Sequence, residues 1–178
     1  MVAARAQRTP QGWTVTGQKS FVLDGAAADL VLVVARSIAG PALFAVDRGA
    51  PGLRAEPMTT LDPTRPMAAL TFDQVPAVLI GAEGQGGRLM SQVLDLACTA
   101  LAAEQAGGAR RCLEMSAGDA RTRFQFGRPI GSFQAVKHKC ADMLVRVELA
   151  EATAREAARL ADEAAPEFAA AATAHICC

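Results

Sequence analysis

Up to about residue 80, apolar residues alternate with polar ones or cluster in short runs that are rich in β-branched side chains. Such runs are typical of strands. The predicted strands lie at 13–16, 30–34, 43–46 and 68–72. The segments between them contain Asp-Gly, Gly-Pro and Asp-Pro pairs, which favour turns. The first part of the chain is therefore expected to be antiparallel β-structure.

The pattern changes after the glycine-rich segment 81–87, where apolar and small residues begin to recur every three or four positions. The residues at this spacing include Leu89, Val93, Leu96, Ala100 and Ala103. They predict a helix that runs to about Arg121, a length typical of helices that pack in a bundle. Gly107 and Gly108 lie in its middle. Because glycine destabilises a helix, this pair predicts close helix approach or proximity to a ligand.

A break is predicted at Pro129, and Ser132 is the expected N-cap of a second helix. The apolar stripe of that helix is Val136, Cys140, Met143, Val147 and Ala150. A third helical segment is predicted after Pro166. The fold class is thus α+β: an antiparallel β-domain at 1–82, part of a barrel or sandwich, precedes long antiparallel helices of a partial four-helix bundle at 83–178.

Composition narrows the function classes. Apolar residues make up 51% of the chain, and 18 basic residues balance 18 acidic ones, so no net field favours nucleic acid. We expect a cytoplasmic protein, because neither a membrane-spanning run nor a signal-peptide pattern is present. The five cysteines show no CxxC pair and no histidine at metal-ligand spacing. Reduced thiols and no metal site are therefore expected.

The segment from Arg123 to Gln134 reads Arg-Phe-Gln-Phe-Gly-Arg-Pro-Ile-Gly-Ser-Phe-Gln, and Ala-Asp-Met follows at 141–143. It resembles the acyl-CoA dehydrogenase pattern R-x-x-F-G-x-x-I-x-x-x-Q with its trailing A-D-M. Upstream, the segment 12–22 resembles the family's G-W-x-L-x-G-x-K-x-x-V strand pair, and later strands match in order and spacing. The resemblance spans nearly the whole chain. It places the chain at the end of the middle β-domain and the start of the C-terminal helical domain.

The resemblance implies FAD as cofactor and four cofactor-binding residues. The guanidinium of Arg123 suits phosphate oxygens, and in the family it reaches the pyrophosphate of an FAD held mainly by a neighbouring subunit, which implies an oligomer. The family places Phe126 beside the adenine, uses Gln134 to hydrogen-bond the AMP end, and directs Gln125 toward the cofactor. Taken alone, Arg123 could complement a helix C-terminus, Phe126 could plug a helix end and Gln134 could be a surface amide.

The family reaction needs a glutamate that removes the α-proton of the acyl thioester. In most members this residue lies near the end of the helical domain, and the chain ends before that region. Other members carry it on the long helix thirty residues before the motif glycine; counting from Gly127, 127 − 30 gives Ala97. Cys98 follows where relatives often carry arginine, and Glu104 would lie at a different height of the bundle. No catalytic residue is assigned.

Three further positions bear on chemistry. Relatives often have a hydroxyl that meets flavin N5 where this chain has Leu23, which has no hydrogen-bonding side-chain atom. Phe21 could pack on the flavin edge or could be a core aromatic of its strand. His138, between two lysines, is expected on a solvated or interface face. The segment with the family's E-P-x-x-G flavin motif is expected to precede Met1, as in a truncated protein.

The leading expectation is an acyl-CoA dehydrogenase that is incomplete and inactive alone, with an acyl-CoA substrate and an electron-transfer flavoprotein as electron acceptor. The enzymatic alternative is an acyl-CoA oxidase, which shares these motifs. The non-enzymatic alternative is an interaction module or partner subunit of a full-length homologue, because apolar stripes of a partial bundle need another chain to cover them. The assembly could be a homo-oligomer, as dimer or tetramer, or a hetero-oligomer. Acyl chain specificity is left open.

Overall fold

The computed structural model describes residues 2–163, which divide between Ser91 and Gln92 into two compact units. The strands of the first unit are β1 (Arg5–Thr9), β2 (Gly12–Leu23), β3 (Leu30–Ser37), β4 (Gly40–Asp47), β5 (Leu53–Met58) and β6 (Met67–Ile80). The helix α1 (Gly86–Thr122) begins in the first unit and continues in the second. The second unit continues with β7 (Phe124–Gln125), β8 (Arg128–Pro129), a 3₁₀ turn (Ile130–Ser132) and α2 (Gln134–Asp162).

The six strands of the first unit form one sheet in the order β2-β1-β3-β4-β6-β5. Because β2 also pairs with β6, five of them close on themselves, and β5 remains as an edge strand beside β6. The pairings are antiparallel, as predicted, except that β1 and β3 are parallel at the single pair Arg5 and Arg36. The edge strand contains Arg54, Glu56 and Pro57, residue types that oppose pairing with other sheets.

The core of the first unit lies inside the closed sheet. On β3 and β4, every second residue is buried and the residues between them are more exposed. This alternation is expected when one face of a strand is covered. The largest fully buried side chains are Phe44, Phe72, Leu70, Val15, Val46 and Val75. The ring of Trp13 packs on Phe44 with centroids 5.4 Å apart, so the sole tryptophan extends this core toward one rim of the sheet.

The second unit contains two long antiparallel helices, in agreement with the predicted fold class. Buried residues of α1 recur at heptad spacing, at Thr99, Ala106, Leu113 and Ala120, and α2 buries Val147, Ala154 and Ala157. Arg110 joins the two helices, since its Nε donates to Glu151 and its Nη2 to Glu148, both at 2.6 Å.

Three local predictions for the helices need comment. Ser132 is not the N-cap of α2: Phe133 takes that position, and the Ser132 hydroxyl donates to Pro129 O at 2.7 Å within the 3₁₀ turn. Close approach of another helix within residues 2–163 does not explain Gly107 and Gly108, because a Cβ at either position would meet no atom of that part of the chain within 4 Å. The helix predicted after Pro166 lies outside the described residues.

Candidate functional site

The segment 123–134, here named the arm, connects the two long helices as a short hairpin. Arg123 fixes its base on both sides: the Arg123 N–H donates to Asp119 O of α1 at 2.8 Å, and Ile130 N–H donates to Arg123 O at 2.8 Å. The strands β7 and β8 pair Phe124 with Pro129 and Gln125 with Arg128. The backbone of the arm is therefore held by the helix end that precedes it.

The tip of the arm is a two-residue turn in which Phe126 and Gly127 both have positive φ, 54° and 75°. This turn geometry favours Asn-Gly, and an aromatic residue at its first position is strained by roughly 1 kcal/mol or more. The Phe126 side chain is 91% exposed. It therefore does not plug the helix end, and that alternative is wrong. The strained backbone holds an apolar ring in solvent.

Two residues that sequence reasoning missed support this tip. Phe133 meets Phe126 edge-on, with centroids 6.1 Å apart and planes at 87°, and the Arg128 guanidinium lies 4.1 Å above the Phe133 ring. Aromatic pairs and cation–π contacts of this kind each contribute roughly 0.5–1.5 kcal/mol. No sequence pattern signals these contacts, because they depend on the turn at 126–127, and the sequence predicted only a helix break at Pro129.

The end of the arm packs on α1 through Gly131. A Cβ at this position would lie 2.7 Å from Ala120 O, a distance that side chains do not tolerate. The glycine is thus required by the close approach of the 3₁₀ turn to the last turns of α1. This contact and the two backbone bonds of Arg123 fix where the arm leaves the helix.

Hydrogen-bond donors are exposed along the arm. Arg123 is solvent-exposed, and within residues 2–163 its guanidinium forms no ion pair. Gln134 is the exposed first residue of α2, whose N-terminus has no side-chain cap and no acidic residue in its first turn. A helix N-terminus favours anions through its free N–H groups and dipole. The Gln125 amide donates to Phe124 O at 3.0 Å, and its side chain is exposed.

This donor set fits the AMP and pyrophosphate end of a dinucleotide. A guanidinium fork and a helix N-terminus suit phosphate oxygens. An exposed aromatic ring at 126 suits a purine face. Two of the four sequence-predicted residues, Arg123 and Gln134, are thus accessible donors, Phe126 is an accessible ring, and Gln125 lies beside them on β7.

The positions expected near a flavin ring lie on the first unit. Phe21 has φ 58° and is 69% exposed, so the interpretation as a core aromatic is wrong. The register of β2 against β6 shifts between Lys19 and Val22, and this irregularity turns the Phe21 ring outward. Leu23 is 52% exposed. These two side chains offer apolar contact to a ring and no hydrogen bond to it.

The positions considered for catalysis are on helices. Ala97 is exposed and Cys98 half-buried on α1, and neither carries a carboxylate. Glu104 lies seven residues beyond Ala97, which on a helix is about 10 Å along the axis. His138 is exposed between the exposed Lys137 and Lys139, consistent with a solvated face.

The thiols, the carboxylates and the hydropathy of the helices bear on metal binding and membrane crossing. Cys98, Cys112 and Cys140 are free thiols. Within residues 2–163, histidine, cysteine and carboxylate side chains do not gather into a group of three that could hold a metal ion. None of the helices in that part of the chain is both long and apolar enough to cross a membrane.

Comparisons with known proteins bear directly on this architecture. The family model described as acyl-CoA dehydrogenase, C-terminal domain, matches residues 84–178, and the middle-domain model matches 1–75. The chain is 41% identical over 155 residues to acyl-CoA dehydrogenase FadE34 of Mycobacterium tuberculosis. The aligned region covers 87% of the chain and 20% of that protein. Other curated relatives are named for cyclohex-1-ene-1-carbonyl-CoA and isobutyryl-CoA.

Solved structures give the same architecture. Butyryl-CoA dehydrogenase from Megasphaera elsdenii matches with a TM-score of 0.93 at 28% identity, covering 98% of this chain and 48% of that one. The structure described as PigA with FAD and proline matches with a TM-score of 0.85 at 26% identity, covering 98% and 51%. The chain thus spans about half the length of these solved structures and a fifth of FadE34.

Proposed function

Since this chain belongs to the acyl-CoA dehydrogenase family, we propose that it works in an FAD-dependent oxidoreductase that dehydrogenates an acyl-CoA thioester between its α and β carbons. The observation that carries the proposal is the arm. It combines the family pattern with an exposed guanidinium at 123, an exposed ring at 126 in a strained turn, and an uncapped helix N-terminus at 134.

In this proposal the arm binds the nucleotide end of FAD. Arg123 holds the pyrophosphate, Phe126 lies against the adenine, Gln134 hydrogen-bonds the AMP moiety, and Gln125 contributes a further amide. All four side chains are exposed, as a residue needs to be when its ligand is held mainly by a neighbouring subunit. The proposal therefore includes an oligomer, either of this chain alone or with a related subunit.

FAD, when bound, supplies the acceptor for the hydride that leaves the β-carbon, and an electron-transfer flavoprotein is the proposed next acceptor. The chain's own part is to bind and orient the cofactor. Removal of the α-proton requires a positioned carboxylate. Ala97 and Cys98 cannot serve as that base, so the carboxylate must come from another position in the assembly.

Flavin reduction tests the proposal. The purified protein, reconstituted with FAD without oxygen, is mixed with butyryl-CoA as a probe acyl-CoA and its flavin absorbance is followed. Loss of the absorbance band of the oxidised flavin supports the proposal, because it shows that the bound FAD accepts electrons from the acyl-CoA. A flavin that stays oxidised with short, branched and cyclic acyl-CoA probes when a related full-length subunit is also present contradicts it. Admitting oxygen to the reduced flavin distinguishes an acyl-CoA dehydrogenase from an acyl-CoA oxidase. Rapid reoxidation indicates the oxidase, and slow reoxidation indicates the dehydrogenase.

A second candidate is a non-catalytic partner subunit, and the exposed apolar residues of the second unit favour it. On α1, Leu94 and Leu96 are each 55% exposed, and on α2, Val145 is 68% and Leu149 58% exposed. Exposed apolar surface of this kind loses contact with water when a partner chain covers it, which favours association. Light scattering discriminates: a stable monomer free of flavin contradicts both candidates, whereas an oligomer that does not reduce its flavin favours the second.

A further inference from the structure

The first compact unit has a concave surface where β1 and β3 separate. The two strands are parallel neighbours only at Arg5 and Arg36, where Arg36 N–H donates to Ala4 O at 2.9 Å. Among the described residues, positions 6–9 of β1 pair with β2 and with no other strand. A strand paired on one side presents its remaining backbone N–H and C=O groups to another chain.

A groove of about 710 Å³ opens along this edge, and we name it the β1–β3 groove. Its volume lies in the range of ligand-binding pockets, which is roughly 300–1,000 Å³. The side chains that define its chemistry are Arg5, Arg8, Arg36, Trp13, Ile38 and Glu83. The arm at 123–134 contributes none of its lining, so the groove is a separate feature.

The groove carries positive charge that the described fold does not neutralise. Arg5 and Arg36 lie opposite each other on adjacent strands, an arrangement of like charges that is itself unfavourable. Arg5, Arg8 and Arg36 are all exposed, and within residues 2–163 none of them forms an ion pair. Arg36 donates one hydrogen bond, to Val2 O at 2.9 Å. An acidic ligand would relieve this repulsion.

Glu83 distinguishes between classes of acidic ligand. Its Oε2 is shielded from solvent and has no hydrogen-bond partner, and a shielded oxygen of this kind gains from a donor. A free phosphate would bring a second anion toward this carboxylate. A peptide brings backbone N–H donors together with its acidic side chains. The groove therefore favours a peptide over a small anion.

We propose that the β1–β3 groove binds an extended acidic peptide segment of another protein, which pairs with the free edge of β1 as an added strand. Backbone bonds to positions 6–9 would supply affinity, and alternate side chains would supply specificity. Acidic side chains on one face meet Arg5 and Arg36. Apolar side chains on the other face contact Trp13 and Ile38, and Ile38 is 101% exposed.

Trp13 provides the measurement, because it is the only tryptophan in the sequence. A capped pentapeptide of alternating glutamate and valine is titrated while Trp13 emission is recorded. We expect a saturable change that weakens at high salt. The double variant Arg5→Gln/Arg36→Gln should bind about tenfold more weakly, since two exposed charge pairs are lost. Arg54→Gln, an exposed arginine on the edge strand β5, is the control and should bind like the wild type.

Two further probes test the strand geometry and the ligand class. A pentapeptide N-methylated at alternate amides retains its charge but loses backbone donors, so it should lose binding. If it binds equally well, strand addition is wrong. If inorganic phosphate or adenosine diphosphate gives the same Trp13 response with equal or higher affinity, the groove is a small-anion site and the peptide proposal is overturned. A flat emission titration with the first peptide also overturns it.

Discussion

At the scale of single residues, Phe126 combines three properties that rarely occur together. It has a positive φ of 54°, an aromatic side chain and an exposed fraction of 91%. A residue chosen for stability would be asparagine or glycine at the first position of this turn. The cost of the strained phenylalanine is explained if the ring contacts a bound molecule, since strained positions concentrate at functional sites.

Replacing Phe126 should therefore separate stability from binding. Phe126→Asn is expected to have a free energy of unfolding about 1 kcal/mol higher than Phe126→Ala, because both variants lose the ring contact with Phe133 and only asparagine tolerates the left-handed region. Both variants should weaken FAD binding. Denaturant midpoints and flavin retention are the measurements. Phe124→Asn and Phe124→Ala, two residues earlier on β7, are the matched controls, and here asparagine should bring no gain over alanine. A Phe126→Asn variant no more stable than Phe126→Ala would contradict the strain argument.

Arg110 and Glu151 form the second residue-scale feature. The hydrogen bond from Arg110, more than the nearby charge of Arg155, lowers the pKa of Glu151 below its ordinary value of 4.5. A carboxylate with a lowered folded-state pKa stabilises the fold above its unfolded pKa and ceases to do so as the pH falls through the folded value. The contribution is thus complete at neutral pH and disappears in acid.

Arg110→Gln should lower the melting temperature at neutral pH, and the difference from wild type should shrink as the pH falls below about 4.5. The pKa of Glu151, measured by NMR, should rise toward its ordinary value. Arg111→Gln is the matched control, because Arg111 contacts Glu114 of its own helix at 3.4 Å and is 70% exposed. An equal, pH-independent loss in both variants would show that the pair between the helices has no special role.

At the scale of elements, two glycines of the second unit have opposite roles. A Cβ at Gly108 would meet no atom of the described residues within 4 Å, whereas one at Gly131 would lie 2.7 Å from Ala120 O. Gly108→Ala should raise stability by about 0.5–1 kcal/mol through helix propensity. Gly131→Ala should lower it by about 1–3 kcal/mol through overpacking. Thermal denaturation measures both. Destabilisation by Gly108→Ala in the oligomer would show that another chain packs closely at this position.

Elements with a buried face were predictable from sequence, and elements without one were not. The runs at 30–34 and 43–46 lie within β3 and β4 because their alternating residues fill the core, and the spacing from Leu89 onward predicted α1 nearly to its end at Thr122. The hydrophobic pattern did not predict β1 and β5 as strands, because most of their residues are exposed. The long β2 and β6 were predicted too short, because their bulges interrupt the alternation.

The residues of the candidate site were likewise predictable only in part. The motif pointed to Arg123, Gln125, Phe126 and Gln134, but composition does not reveal the sign of φ, so the exposure of Phe126 was not predictable. Phe133 and Arg128 were missed because their contact depends on the turn that brings them together. The Ser132 hydroxyl donates to Pro129 O within the 3₁₀ turn that precedes α2, so it does not cap that helix.

At the scale of the whole molecule, the chain combines the middle-domain and C-terminal-domain patterns of the acyl-CoA dehydrogenase family. The features that it presents outward are the arm, the apolar residues of the long helices and the basic β1–β3 groove. Each of them has unpaired groups that suit another molecule. These features are those expected if, as proposed, the chain acts as a subunit of an assembly and contributes the arm to the cofactor site.

The most direct test of this account is the affinity of the purified oligomer for FAD and for riboflavin, measured in the wild type, in Arg123→Gln and in Arg121→Gln. If the arm holds the pyrophosphate, FAD binds more tightly than riboflavin. Arg123→Gln should then weaken FAD binding by about tenfold or more, as expected for a lost charged hydrogen bond, while Arg121→Gln binds FAD like the wild type. Equal FAD affinity in Arg123→Gln and the wild type would contradict the account.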